Sequence, residues 1–222
     1  MTVTEISILP TSTPGEITAE LRKIGVDGIA FQGEWCGKNA PWLIPDRGAA
    51  LFQQVEDPGV ALVSAHWDSV DQHHAVLATP ENQKISVDLA PHLDLAKMRP
   101  GHIDGVKMLP KDEGEGFVSS LDAPILVVTI WTVRSENKTK FEEALGKVKG
   151  VLDGFVKPYR HRGGWKIEKA DGEDVELYFM LGGSDSVEKS ATFIQADDYD
   201  KYSQALSPLA LSVETKHYKR IG

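Results

Sequence analysis

The stretch from residue 65 to residue 80, Ala-His-Trp-Asp-Ser-Val-Asp-Gln-His-His-Ala-Val-Leu-Ala-Thr-Pro, decides the fold because part of it occurs twice. Asp68-Ser69-Val70-Asp71 returns as Asp185-Ser186-Val187-Glu188, and Leu89-Ala90-Pro91 returns as Leu206-Ser207-Pro208. Both pairs are 117 positions apart, from 68 to 185 and from 89 to 206. A spacing that is kept over so long a segment indicates one structural unit used twice.

Apolar periodicity on either side of this stretch predicts strands and helices in the same order in both halves. In the first half, we expect strands at 4–9, 29–36, 60–67 and 102–109, with helices at 16–24 and 68–77. A further helix or an irregular stretch is expected at 80–89. Gly25 is read as the end of the first helix, and 37–54 as a loop. In the second half, strands are expected at 125–133, 159–168, 175–181 and 211–218, with helices at 138–155 and 191–205.

Each half therefore has the order β-α-β-β-α-β, which is that of a ferredoxin-like unit. An antiparallel sheet with helices on one face leaves its other face uncovered, and two such sheets can cover each other. We predict an α+β fold of tandem ferredoxin-like repeats that form a pseudo-dimeric α/β barrel. The acidic, glycine-rich segment 112–116 places the boundary between halves 1–114 and 115–222.

Composition excludes several classes of protein. The net charge of −9 and the pI near 5.3 argue against a nucleic acid as the main partner. The single cysteine, Cys36, excludes an intramolecular disulfide and a multi-cysteine metal site, and it is expected to be a packed thiol. No basic, apolar leader and no window of about 20 apolar residues is seen, so the expected location is the cytoplasm, without a membrane partner.

The motif Trp67-Asp68-Ser69, followed by His73-His74, resembles the dimeric α+β barrel superfamily, in particular its antibiotic-biosynthesis-monooxygenase-like and stress-responsive branches. That resemblance implies a small-molecule cavity between sheet and helices. It also implies a choice among cofactor-free monooxygenases of phenolic rings, polyketide cyclases, haem-degrading enzymes and proteins without known activity. The second half departs from the motif, because Ser184 stands in place of Trp67 and Ser190-Ala191 in place of the two histidines.

The histidine pair supplies the candidate catalytic group. A neutral imidazole at the start of a helix can act as a general base toward a phenol or an acidic C–H bond. Adjacent helical positions point about 100° apart, so only one of the two histidines can face a cavity well. We assign His73 as the base; the alternative is that both are ordinary packed or exposed histidines. Four residues are assigned as substrate contacts: Trp35, Trp42, Trp67 and His74.

Each of the three tryptophans also has a plain structural interpretation, in which Trp67 is core and Trp35 and Trp42 cover the end of the barrel. A similar lining can form in the second half from Tyr159, His161, Trp165, Tyr178, His217 and Tyr218. Neighbouring strand residues face opposite sides, so only one of His217 and Tyr218 can serve. The only metal candidate, His102 with Asp104, lacks a third ligand, and no glycine-rich phosphate loop is present. No metal and no cofactor are predicted.

Three functions follow from these observations. The first is a cofactor-independent monooxygenase or cyclase acting on an aromatic or polyketide-like substrate. The second is a non-catalytic protein that binds a small apolar or aromatic molecule, and the third is a stress-associated protein with a filled interior. The expected assembly is a monomer, already a pseudo-dimer, or a homodimer.

Overall fold

The computed structural model describes residues 2–43, 47–106, 108, 114–169 and 174–222. The chain divides into two compact units, Met1–Leu109 with Tyr218–Gly222, and Pro110–His217. The predicted boundary between 114 and 115 stays a prediction, and 109–113 lie outside the described residues.

The first unit has an antiparallel sheet in the order β4-β1-β3-β2. Tyr218–Gly222 belong to this unit, where Arg220 pairs with Phe52 of β2. Its elements are β1 (Val3–Pro10), α1 (Ala19–Asn39), β2 (Ala50–Gln54), β3 (Val60–Trp67), α2 (Val70–Leu77), α3 (Pro80–Leu89) and β4 (His102–Asp104).

The second unit has the same strand order, β8-β5-β7-β6. Its elements are β5 (Ile125–Arg134), α4 (Lys138–Phe155), β6 (Arg162–Trp165), β7 (Val175–Ser184), α5 (Val187–Ala191), α6 (Tyr199–Leu206) and β8 (Ala210–Arg220). Both units show β-α-β-β-α-β order with the ferredoxin-like strand sequence 4-1-3-2. The predicted α+β fold class is confirmed.

The second predicted strand, 29–36, is wrong: it forms the second half of α1, which runs without a break from Ala19 to Asn39. Thr18 caps this helix by accepting a hydrogen bond from the Leu21 amide at 3.1 Å. Gly25 does not end it. A Cβ atom at Gly28 would lie 3.2 Å from Ile85 of α3, so glycine at this position permits close packing of α1 against α3.

Two further expectations for the first half need correction. The predicted loop 37–54 contains β2, most of whose residues are buried beside β3. The predicted strand 102–109 is assigned only over His102–Asp104, and Lys107 and Leu109 lie outside the described residues. The other predicted strands and helices occur where the apolar periodicity placed them, with shifted ends.

Each unit buries its own apolar core between sheet and helices. In the second unit, Phe141, Leu145 and Val148 of α4 pack with Trp131 and Leu206. In the first unit, Trp67 and Val76 pack with Cys36 of α1. The layer between sheet and helices is therefore where each unit either closes its core or leaves room for a ligand.

Candidate functional site

The twice-occurring motif has the same backbone geometry in both units. Ser69 caps α2 with φ −160° and ψ 165°, and Ser186 caps α5 with φ −158° and ψ 167°. Each serine hydroxyl accepts a hydrogen bond at 3.1 Å from the amide three residues later. The offset of 117 positions therefore joins structurally equivalent residues.

The side chains at two equivalent positions differ greatly in size. Trp67 ends β3 and Ser184 ends β7, while His73 and Ser190 are the fourth residues of α2 and α5. Strand register adds a third difference, because Glu5 lies two residues after the partner of Trp67, and Val127 lies two residues after the partner of Ser184. The first unit thus has large or charged side chains where the second unit has small, uncharged ones.

In the first unit, these side chains form a packed polar cluster. The imidazole of His73 stacks on the Trp67 ring, with centroids 4.5 Å apart and planes inclined by 12°. The indole Nε1 of Trp67 donates a hydrogen bond to Glu5 Oε2 at 3.0 Å, and His73 Nε2 lies 3.4 Å from the same oxygen. Trp67 is fully buried and His73 is 5% exposed.

The protonation state of His73 follows from these surroundings. Burial is the main reason that the pKa of His73 falls to about 4; the Glu5 carboxylate opposes this shift, and His102, His74 and Arg47 add to it. His73 is therefore neutral near pH 7. Its Nδ1 lies 2.7 Å from His102 Nε2, so one of these nitrogens donates the hydrogen bond and the other accepts it.

Arg47 completes the cluster. Its guanidinium carbon lies 4.6 Å from the centroid of the Trp67 ring, in a cation–π contact. Nη2 donates a hydrogen bond to Gln32 Oε1 at 3.1 Å, whereas Nε and Nη1 are buried without a partner in the described part of the chain. Burial lowers the pKa of Arg47 from its ordinary value.

The other predicted contact residues differ in their exposure and their neighbours. Trp42 is 61% exposed, and its indole Nε1 donates to Asp68 Oδ2. Trp35 is half-buried against the apolar core around Cys36, and His74 is exposed. Cys36 itself is buried, and burial raises its pKa. The assignment of His73, His74 and the three tryptophans to a substrate site stays a prediction.

A cavity of about 460 Å³ lies in the second unit, between the sheet and helices α4 to α6. Ser184, Ser190 and Val127 line it, at the positions that Trp67, His73 and Glu5 occupy in the first unit. The aromatic part of its wall consists of Trp131, Phe155, Tyr159, Phe193, Tyr199 and Tyr202. A volume between 300 and 1,000 Å³, with mainly apolar walls, is typical of a small-molecule site.

Two hydrogen-bonded pairs of polar side chains line this cavity. His217 Nε2 lies 2.9 Å from Ser190 Oγ, and Tyr159 donates a hydrogen bond to Asp185 Oδ1 at 2.9 Å. Burial, and then the hydrogen bond to Asp185, raise the pKa of Tyr159. The cavity therefore combines an imidazole and a phenol with a wall of aromatic rings.

Three of the six second-half residues proposed from sequence line this cavity, namely Tyr159, His161 and His217. Tyr218 does not line it, because neighbouring strand residues face opposite sides of the sheet; its backbone pairs with Gln54 in the first unit. Ser184 and Ser190 were visible in the sequence as departures from the motif. Their small size is the signal in the sequence for space at this position of the second unit.

No protein-family model and no curated protein matches this chain in sequence. Solved structures do match it in fold. A proposed monooxygenase from Fusobacterium nucleatum superposes with a TM-score of 0.65 at 8% identity, covering 100% of this chain and 93% of that chain. The chain shares its α+β fold with this structure.

Two further solved structures match this chain over nearly its whole length. An anthrone oxidase-like protein gives a TM-score of 0.63 at 12% identity, covering 100% of this chain and 92% of that chain. A proposed monooxygenase from Lactobacillus acidophilus gives 0.56 at 12% identity, covering 99% and 93%. At these identities the comparison concerns the fold.

No group of three or more His, Cys, Asp or Glu side chains in the described ranges is placed to hold a metal ion. Among the helices so described, none has the length and apolar character needed to cross a membrane.

Proposed function

We propose that this protein is a small-molecule enzyme, a cofactor-independent monooxygenase or cyclase, and that an aromatic or polyketide-like substrate reacts in the cavity of the second unit. The single observation that carries this proposal is the 460 Å³ cavity with its aromatic wall and the His217–Ser190 pair. Stacking against aromatic rings suits a flat, conjugated ligand. The fold shared with proposed monooxygenases and an anthrone oxidase-like protein supports the same reading.

The chemistry assigned to the cavity begins with a proton transfer. His217 would accept a proton from a phenol or from an acidic C–H bond of the substrate, a step that a positioned base accelerates by about 10² to 10⁴. Anthrone illustrates the balance. Its carbanion supplies the electrons that reduce O₂; one oxygen atom becomes the new ketone of anthraquinone, and the other leaves as water with the two hydrogens removed from carbon.

The proposal is tested by measuring oxygen uptake and quinone absorbance with anthrone as the probe substrate. His217→Gln keeps a polar side chain of similar reach but removes the base, so a loss of at least about 10²-fold in kcat is expected. Binding of a hydroxyanthraquinone, followed by quenching of tryptophan fluorescence, should persist in this variant.

A cavity-filling variant provides a second test. Ser190→Trp places a large ring where the first unit has His73, and it should abolish both binding and turnover. Ser212→Trp is the matched control, because Ser212 is exposed on β8 and does not line the cavity. Equal loss in both variants, or full activity of Ser190→Trp, would overturn the assignment of the cavity.

The same assay distinguishes the predicted role of His73 as the base from the role proposed for His217. If turnover is lost in His73→Gln while the fold is kept and His217→Gln is fully active, the reaction belongs to the first unit. Tight binding of the hydroxyanthraquinone without turnover of any phenolic probe by the unsubstituted protein would establish the alternative, a non-catalytic binding protein.

A further inference from the structure

A second pocket, of about 430 Å³, lies on the second unit and has an unusual charge. Four Lys or Arg side chains line it, together with one carboxylate, although the whole chain has a net charge of −9. The cations are Lys149, Lys157, Arg160 and Arg162. Concentration of one sign of charge in a concave site raises the local concentration of ligands with the opposite sign.

The one carboxylate of this pocket has its own partner. Asp153 Oδ1 lies 2.9 Å from His161 Nδ1, and the contact with His161 is the main cause that lowers the pKa of Asp153. Asp153 and Lys149 both come from α4, one turn apart, and Arg160 to Gly163 contribute a second segment of the lining. A single carboxylate that is engaged by a histidine leaves the pocket with excess positive charge.

Arg160 is held in a defined position. Its guanidinium carbon lies 3.8 Å from the centroid of the Phe117 ring, and its Nε is buried without a hydrogen-bond partner in the described ranges. A stacked guanidinium is pre-organised to present its remaining N–H groups, and Arg recognises carboxylate and phosphate groups with two parallel hydrogen bonds. Leu145 and Tyr178 add apolar surface to the same pocket.

We propose that this pocket binds a small organic anion, whose phosphate or carboxylate group contacts Arg160 and Lys149 and whose apolar part rests on Phe117, Leu145 and Tyr178. This anion site is distinct from the cavity in which the reaction is proposed, although Lys157 and His161 line both pockets. A phosphate-bearing ligand and a carboxylate-bearing ligand share the same chemistry here, since each presents an anionic oxygen group on a compact molecule.

The experiment is a calorimetric titration of the full chain with two probes, phenyl phosphate and benzoate, at low ionic strength. Lys149→Ala should weaken binding of the preferred probe by roughly tenfold, as expected for loss of a charged hydrogen bond. Lys147→Ala is the matched control, because Lys147 is exposed on the same helix but does not line the pocket, and it should bind as the unsubstituted protein does.

Arg160→Lys keeps the charge but removes the planar guanidinium, and it should also weaken binding. Preference for phenyl phosphate identifies a phosphate-bearing ligand, and preference for benzoate a carboxylate. Failure of both probes to bind at millimolar concentration, or equal effects of Lys149→Ala and Lys147→Ala, would overturn the proposal. Ser190→Trp should keep anion binding, so a failure of the cavity assignment and a failure of this site give different results.

Discussion

Replacing His73 by Gln tests whether the polar cluster of the first unit stabilises the fold through a buried neutral imidazole. Glutamine keeps a hydrogen-bonding group for His102 but cannot be protonated in the relevant range. The side chain it replaces is stacked on Trp67 and lies 2.7 Å from His102 Nε2. Loss of the stacking alone should cost about 0.5 to 1.5 kcal/mol of unfolding free energy near pH 7.

The pH dependence gives the sharper expectation. The pKa of His73 is lowered to about 4 in the folded protein, mainly by burial, against about 6.5 for an unfolded histidine. Between these values, the unfolded chain binds a proton that the folded chain does not. The contribution of the neutral His73 imidazole to the free energy of unfolding is therefore fully present above pH 6.5. It falls by about 3 kcal/mol as the pH drops towards 4.

The assay is urea unfolding at several pH values between 7.5 and 4 for the unsubstituted protein and for His73→Gln. The difference in unfolding free energy between the two should shrink, and then change sign, as the pH falls. His74→Gln is the matched control, because His74 is the exposed neighbour on the same helix. Parallel curves for the unsubstituted protein and His73→Gln would refute the reasoning.

Three further substitutions test individual contacts. Trp67→Ala should destabilise the protein by about 3 to 5 kcal/mol, measured by urea unfolding, because a fully buried ring is removed from the core; a loss below about 1 kcal/mol would contradict this packing. Ser69→Ala should cost about 1 kcal/mol by removing the cap of α2, whereas an unchanged midpoint would show that the cap contributes nothing. Gly183→Ala would place a Cβ atom 2.5 Å from the Tyr159 ring, so it should displace that ring and weaken binding of a hydroxyanthraquinone; unchanged affinity would place the ligand elsewhere.

The fold class was predictable because it rests on patterns that persist over many residues. The repeated Asp-Ser-Val motif marked two equivalent helix starts, and both serines cap helices in the structure. Alternation and apolar periodicity located β3, α4 and β5 closely. The failure at 29–36 has a physical cause, since a short apolar run with glycines suits a strand as well as a helix that packs closely against its neighbours.

The location of the cavity was harder to predict, because a cavity depends on what neighbouring side chains leave empty. The motif residues Trp67 and His73 were predicted to form a site because an imidazole and an indole can serve in catalysis and binding. In the structure, they pack against each other and against Glu5. The equivalent serines have little chemistry of their own, and their importance follows from the space they leave beside His217. The sequence identifies the equivalent pairs Trp67/Ser184 and His73/Ser190. The packing of the neighbouring side chains shows that the serines of these pairs line a cavity.

The most direct test of the account is a crystal structure of the unsubstituted protein soaked with a hydroxyanthraquinone. We expect electron density for the ligand in the second unit, against Trp131 and Phe155 and within hydrogen-bond distance of His217 or Ser190. The stacked Trp67 and His73 rings should be unchanged. Ligand density beside His73, or side chains that fill the space around Ser190, would contradict the central claim that the second unit holds the site.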